Sequence, residues 1–211
     1  MRTALCTEPV AIGPRGMQGL LQVPDAMAGL VVFVNLPRLD RQSAMDRQMA
    51  AMLHGHHLGT LQLQPEPEPE GAELARLGTR LDHALGWIAR RKDLSGVPTG
   101  LLGSRAGGAA ALIAAARDVR PIVAAVSCGG CLDLAAPWLE KVQAPTLLVV
   151  AEADGEVLRH NGAALRALRC QKRLEVIPRT TWLFEEPGAL ASVSAHAAAW
   201  FCRHLARAGH P

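Results

Sequence analysis

The sequence predicts an α/β protein: a doubly wound, mostly parallel sheet with helices on both faces, forming a single three-layer domain over residues 1–211. Three observations predict it. Short runs that are apolar throughout recur along the chain, as strands buried on both faces of a parallel sheet should be. The segments between them repeat apolar residues every three or four positions, the spacing of a helix with one buried face. The two kinds alternate, and right-handed crossovers fold such an alternation into layers.

Taken in order, Val10–Ile12 and Leu20–Val23 flank Gly-Pro turns and read as an edge hairpin within residues 1–29. Leu30–Asn35 (LVVFVN) is the first fully apolar strand, followed by a helix over Arg41–Leu53. A strand at Thr60–Gln64 leads into Pro65–Glu70 (PEPEPE), where alternating prolines lack donors and forbid helix or central strand. An extended spacer loop explains this stretch, with partner docking as the alternative. Then come a helix over Ala72–Arg91, a strand at Thr99–Leu102 and an Ala-rich helix over Ala106–Arg117. Strands Ile122–Ser127 and Thr146–Ala151, helix Glu156–Leu168, strand Leu174–Ile177 and helix Ala189–Ala206 complete the series.

Composition excludes several classes. With 49% hydrophobic and 19% charged residues the chain is too apolar for intrinsic disorder, yet no run approaches the length of a membrane span. Lys and Arg number 22 against 19 Asp and Glu, scattered rather than striped, and with no Tyr and three Phe there is no surface for stacking bases. Neither nucleic acid nor membrane is expected as a partner; a homodimer stays open. The N-terminal stretch lacks the apolar run of a signal peptide, and an odd five cysteines suit reduced thiols, so a cytoplasmic location is expected.

In an open parallel sheet the chemistry sits at the carboxyl ends of strands, which makes those turns informative. The turn after Thr99–Leu102 reads Gly103-Ser104-Arg105-Ala106-Gly107 and runs straight into a helix, the context of a G-x-S-x-G nucleophile elbow. Downstream a strand ends in Val-Val-Ala-Glu-Ala-Asp154, and further on stands Arg179-Thr-Thr-Trp182-Leu-Phe-Glu-Glu-Pro-Gly-Ala-Leu190. Together, and in this order, these stretches resemble the dienelactone hydrolase-like branch of the α/β-hydrolases from about Leu30 to Leu205. The resemblance implies that fold, hydrolysis of esters or lactones, and a triad at the positions of Arg105, Asp154 and Trp182. Asp154 alone matches the family's chemistry. Arg105 stands at the nucleophile, Trp182 at the histidine, and the family's His-Gly-rich oxyanion turn reads Asn35-Leu36-Pro37-Arg38. The nearby Arg41, Ser43 and Arg47 do match the pattern.

Those substitutions bear on hydrolysis directly. A guanidinium stays protonated and cannot attack a carbonyl. An indole has no basic nitrogen with which to shuttle a proton. Pro37 has no N–H to donate to an oxyanion. Ser104 is the outside candidate for a nucleophile, but Leu102 two positions before it is too large for an elbow; an ordinary hydroxyl near a helix start is the plainer reading. Two arrangements of the old site follow. Arg105 turns toward Asp154 under the Trp182 indole, or Arg105 points to solvent while Asp154 caps the next helix. A bulky Arg at a strained turn also raises the prospect that the elbow has relaxed.

Other constellations read more simply. Cys128-Gly-Gly-Cys131 is half a zinc site with no second half, which favours structural thiols or a reversible disulfide. His54, His56 and His57 end a helix without a carboxylate at helical spacing, a solvated terminus rather than a metal site. His160, six residues beyond Asp154, is a minor candidate for a substitute base. Glu185 and Glu186 suit capping at a helix start, and Trp87, Trp138 and Trp200 suit core filling. No metal or cofactor is expected. The function expected is a hydrolase-fold module without hydrolase chemistry, binding a small anionic ligand through Arg105, Asp154, Trp182, Asn35 and Arg41. A weak esterase using Ser104, and a structural or oligomeric scaffold, are the alternatives.

Overall fold

The structure, a computed structural model, describes residues 4–34, 40–64, 73–117, 120–181 and 183–208, with side chains left undescribed at 40–44 and 207–208. The expectations placed on Asn35–Arg38, on the 65–70 loop and on Trp182 lie outside the described residues, as does the side chain of Arg41.

Eight strands form one sheet in the order β1-β2-β4-β3-β5-β6-β7-β8. The hairpin β1 (Leu5–Ile12) and β2 (Met17–Pro24) is antiparallel, and β2 runs antiparallel to β4 (Leu58–Leu63). From β4 onward every pairing is parallel, through β3 (Gly29–Val34), β5 (Thr99–Ser104), β6 (Ala124–Cys128), β7 (Thr146–Ala151) and β8 (Lys172–Ile177). Central strands β3 and β7 are buried at every position, which is why they read as continuous apolar runs.

Alternation along β3 divides the core. Val31 and Phe33 face α1 (Asp40–Gly55) and α5 (Ala189–Ala208), packing with Leu53, Trp200 and Phe201. Leu30, Val32 and Val34 face the other way, toward α2 (Glu73–Arg90) and α3 (Ala106–Arg117). On that second side α4 (Gly155–Ala167) and a 3-10 helix over Leu132–Lys141 close a further apolar cluster around Leu112, Leu132 and Leu148. Helices thus cover both faces, as expected. Phe201 lies so close over β5 that a Cβ on Gly100 would stand 2.6 Å from its ring. Only glycine lets the Phe201 ring of α5 sit against the strand that carries the elbow.

The hairpin extends further than its apolar residues foretold. Leu5–Glu8 is exposed or half-exposed edge strand, held by backbone pairing and by Arg91, whose guanidinium bonds Glu8 at 2.7 and 2.9 Å and stands 5.0 Å over the Trp87 ring. The 3-10 helix has no counterpart among the expected elements. Pro137 inside it removes a donor and holds the segment off α-helical spacing.

Candidate functional site

The carboxyl end of β5 delivers Ser104 and then Arg105, and α3 starts at once with Ala106. Arg105 has φ +49, the left-handed conformation that costs a side-chain residue about 1–2 kcal/mol. Its carbonyl holds the turn in place by accepting from the Gly108 N–H at 3.1 Å and the Cys131 N–H at 3.0 Å. The elbow has therefore not relaxed. Glycines make it possible: a Cβ on Gly103 would collide with the carbonyl of Gly107 and stand 2.6 Å from Gly108 N, while one on Gly108 would collide with Ser127. The guanidinium of Arg105 occupies an exposed position at the turn's apex, where an elbow presents its nucleophile.

Asp154 caps α4. Its Oδ1 accepts from the Val157 N–H at 3.3 Å. Among the described residues no ion pair joins Asp154 to Arg105; the carboxylate is engaged with the helix terminus instead. The segment Arg179–Thr180 is bonded to the residues just before this acid. Ala153 N–H donates to Thr180 O at 3.0 Å, and Arg179 N–H donates to Glu152 Oε2 at 2.7 Å. Phe184, buried and left-handed at φ +51, anchors the far side of the loop in the α1/α5 core. Glu186 accepts from Thr181 N–H at 2.8 Å, and backbone hydrogen bonds hold its carboxyl below the ordinary range; it closes the loop rather than taking part in acid–base chemistry.

Ser104 is half-buried beneath the elbow. It shares a recess of about 200 Å³ with Met45, Asp46, Met49, Leu102 and Cys128. Ser104 thus faces the α1 side of the turn, away from the apex.

Both thiols of the C-x-x-C stretch are free, so no disulfide joins them. Cys128 is buried at the end of β6, and desolvation, reinforced by Asp46, pushes its thiol up to about 12. Cys131 stands at the elbow's flank. Burial raises its pKa, Arg105 opposes that, and Asp133, Asp154 and Glu156 add to it. One guanidinium and three carboxylates thus act on this thiol. His160 points to Asp133, with Nδ1 3.5 Å from Oδ1, and not to Asp154.

The three histidines diverge. His54 Nε2 meets Thr60 Oγ1 at 3.0 Å, His57 Nδ1 meets Asp25 O at 3.1 Å, and His56 is exposed. No group of three metal-ligating side chains occurs among the described residues. No described helix is long and apolar enough to cross a membrane. Sequence reasoning missed the part played by Cys131, whose N–H bonds the elbow's apex across a chain separation of 26 residues. The Gly129-Gly130 pair was the available signal. Gly129 is left-handed at φ +57, and a Cβ on Gly130 would collide with Ser127, so both glycines serve this close turn.

No protein-family model matches the chain. It is similar to two proteins of Mycobacterium tuberculosis, from strains CDC 1551 and H37Rv, whose names assign them provisionally to the phosphoribosyl transferases. Each is 39% identical over 206 residues, which is 95% of this chain but 46% of the relative, so the chain spans about half the length of the curated relatives it matches. The esterase domain of a Rhodothermus marinus protein shares the fold, with a TM-score of 0.73 at 15% identity over 96% of this chain and 99% of that one. The crystal structure of a dienelactone hydrolase from Anabaena variabilis superposes with a TM-score of 0.86 at 34% identity, covering 97% of this chain and 99% of the other. Strand order, elbow, the acid at the end of β7 and whole-chain identity agree, and the chain belongs to the dienelactone hydrolase family of α/β-hydrolases.

Proposed function

We propose that this chain is a hydrolase-fold protein that does not hydrolyse, and that the retained elbow serves as a recognition surface for a small ligand. One observation carries the reading: Arg105 holds the nucleophile's left-handed conformation at an exposed apex, so a group that cannot attack stands where attack would begin. Asp154 supports it, since its carboxylate serves a helix terminus instead of orienting a base. The Ser104 alternative is weaker, because the left-handed apex that an elbow gives its nucleophile falls at Arg105, one position on.

The ligand class follows from the charges at the mouth. Arg105 offers a planar fork suited to a carboxylate. Asp133, Asp154 and Glu156, which also act on the neighbouring Cys131, weigh against multiply charged anions, so the proposed ligand is a small organic monocarboxylate bound directly to Arg105. Trp182, Asn35 and Arg41 belong to the proposed surface through the family resemblance. The transferase activity in the relatives' names is read as belonging to the length outside the match, because the matched length is hydrolase fold throughout.

Two measurements test this. With an activated short-chain ester such as p-nitrophenyl acetate, the chain and its Ser104→Ala variant are expected to match the uncatalysed rate. Turnover that Ser104→Ala abolishes overturns the reading in favour of an esterase. Benzoate is expected to raise the melting temperature of the chain but not of Arg105→Ala. If it raises neither, the elbow recognises no carboxylate and a scaffold role replaces the proposal.

A further inference from the structure

At the other end of the strands from the elbow, two rows of side chains converge. Arg173 and Glu175, two apart on β8, project from one face of the strand, and Leu147 of β7 lies beside Arg173 in the register. Opposite them α5 presents His196, Trp200 and Arg203, the i, i+4, i+7 stripe of one helix face. These six line one recess of about 310 Å³.

Its charge is unbalanced. Among the described residues Glu175 is the one carboxylate of the lining, paired with Arg173 and 3.8 Å from His196 Nδ1. Arg203 is exposed, and no hydrogen bond or ion pair reaches it among the described residues. Two permanent cations and an imidazole thus share a concavity with one acid. Both guanidiniums are exposed and Glu175 offsets one of them, so the recess keeps a net positive charge that attracts anions. The Trp200 indole N–H is bonded to Pro145 O at 3.3 Å, which fixes the ring as a rigid part of the lining.

We propose that this recess is a second binding site, for an oxyanion of the phosphate monoester kind, held by Arg203 and Arg173. Planar guanidinium forks on the strand and helix walls match tetrahedral phosphate, which offers oxygens to both, where a monocarboxylate's two oxygens suit one fork. The site is independent of the elbow. It lies at the amino ends of β7 and β8, while the elbow follows the carboxyl end of β5.

Calorimetric titration at constant ionic strength tests it, with inorganic phosphate, glycerol phosphate and acetate as probes. Saturable binding of both phosphates is expected, with acetate weaker. Arg203→Ala should weaken the phosphates by roughly tenfold or more, as loss of a charged hydrogen-bonding group does, while Arg203→Lys weakens them less. Arg105→Ala should leave phosphate binding unchanged, which separates this site from the elbow whatever the elbow binds. An absence of saturable phosphate binding, acetate binding as tightly as phosphate in the Arg105→Ala variant, equal affinity in Arg203→Ala, or loss of phosphate binding in Arg105→Ala each overturns the proposal. Because Arg203 is exposed, its variants keep the fold, and an unchanged melting temperature without ligand verifies that.

Discussion

Asp154 is one carboxylate with two possible employments, and the distance to Val157 N–H decides between them. A capping oxygen contributes about 1 kcal/mol, so Asp154→Ala should lower the unfolding free energy by about that much in urea. The effect should be independent of Arg105. A double-mutant cycle of Arg105→Ala and Asp154→Ala is expected to be additive within about 0.5 kcal/mol; a larger coupling would restore the ion pair that the structure does not draw. His54 supplies a second residue-scale test. Burial lowers its pKa below the ordinary 6.5, so the folded chain keeps the ring neutral where the unfolded chain protonates it. Protons then bind preferentially to the unfolded state as pH falls below 6.5, and stability is lost in that direction. The variant His54→Gln should flatten the acid side of the stability–pH curve below that value, with no change at pH 8, measured by urea midpoints at each pH. Cys128 follows the same logic without a pH optimum. A thiol raised to about 12 and buried should resist iodoacetamide at pH 8 until unfolding, while exposed Cys6 is alkylated first.

At the scale of elements, the elbow is a problem of backbone proximity, and Gly103 is its test. The atoms a Cβ would strike belong to the backbone of Gly107 and Gly108, which cannot rotate away. Gly103→Ala should therefore cost about 1–3 kcal/mol, measured by chemical denaturation, whereas Gly16→Ala should cost less because open space surrounds it and its left-handed φ of +66 is the sole penalty. How far the elements could be read beforehand depended on what holds each together. Strand β7 and helix α3 match their expected limits because each is built from its own residues: a continuous apolar run, and an Ala-rich segment released by a glycine turn. Strand β1 was seen only from Val10, since Leu5–Glu8 pairs by backbone on an exposed edge and carries no apolar alternation. The 3-10 helix was invisible because Pro137 breaks the period on which helices are recognised. At the site, the elbow and the acid were legible through local spacing. The orientation of Asp154, the backing by Cys131 and the Arg173–Arg203 recess were not, because each depends on which distant elements meet.

The whole molecule shares one sheet between two cores, and that arrangement dictates how it comes apart. Phe201 fills the α1/α5 side over Gly100, and Leu81 fills the α2/α3 side; both are fully buried. Neither core closes without the sheet, so a loss on one face should be felt on the other, and the chain should unfold as a single cooperative unit. Phe201→Ala removes a large ring from a site whose floor is backbone and cannot collapse, a loss of about 3–5 kcal/mol. For a domain of this size that corresponds to a melting temperature lower by about 10 °C. Leu81→Ala should cost about 2–5 kcal/mol by the same mechanism on the opposite face. In each variant the circular dichroism and tryptophan fluorescence transitions are expected to coincide, because Trp200 reports from one face and Trp87 from the other. Two separated transitions, with only one of them moved by Phe201→Ala, would mean that the faces unfold independently and that the single-domain reading of residues 1–211 is wrong.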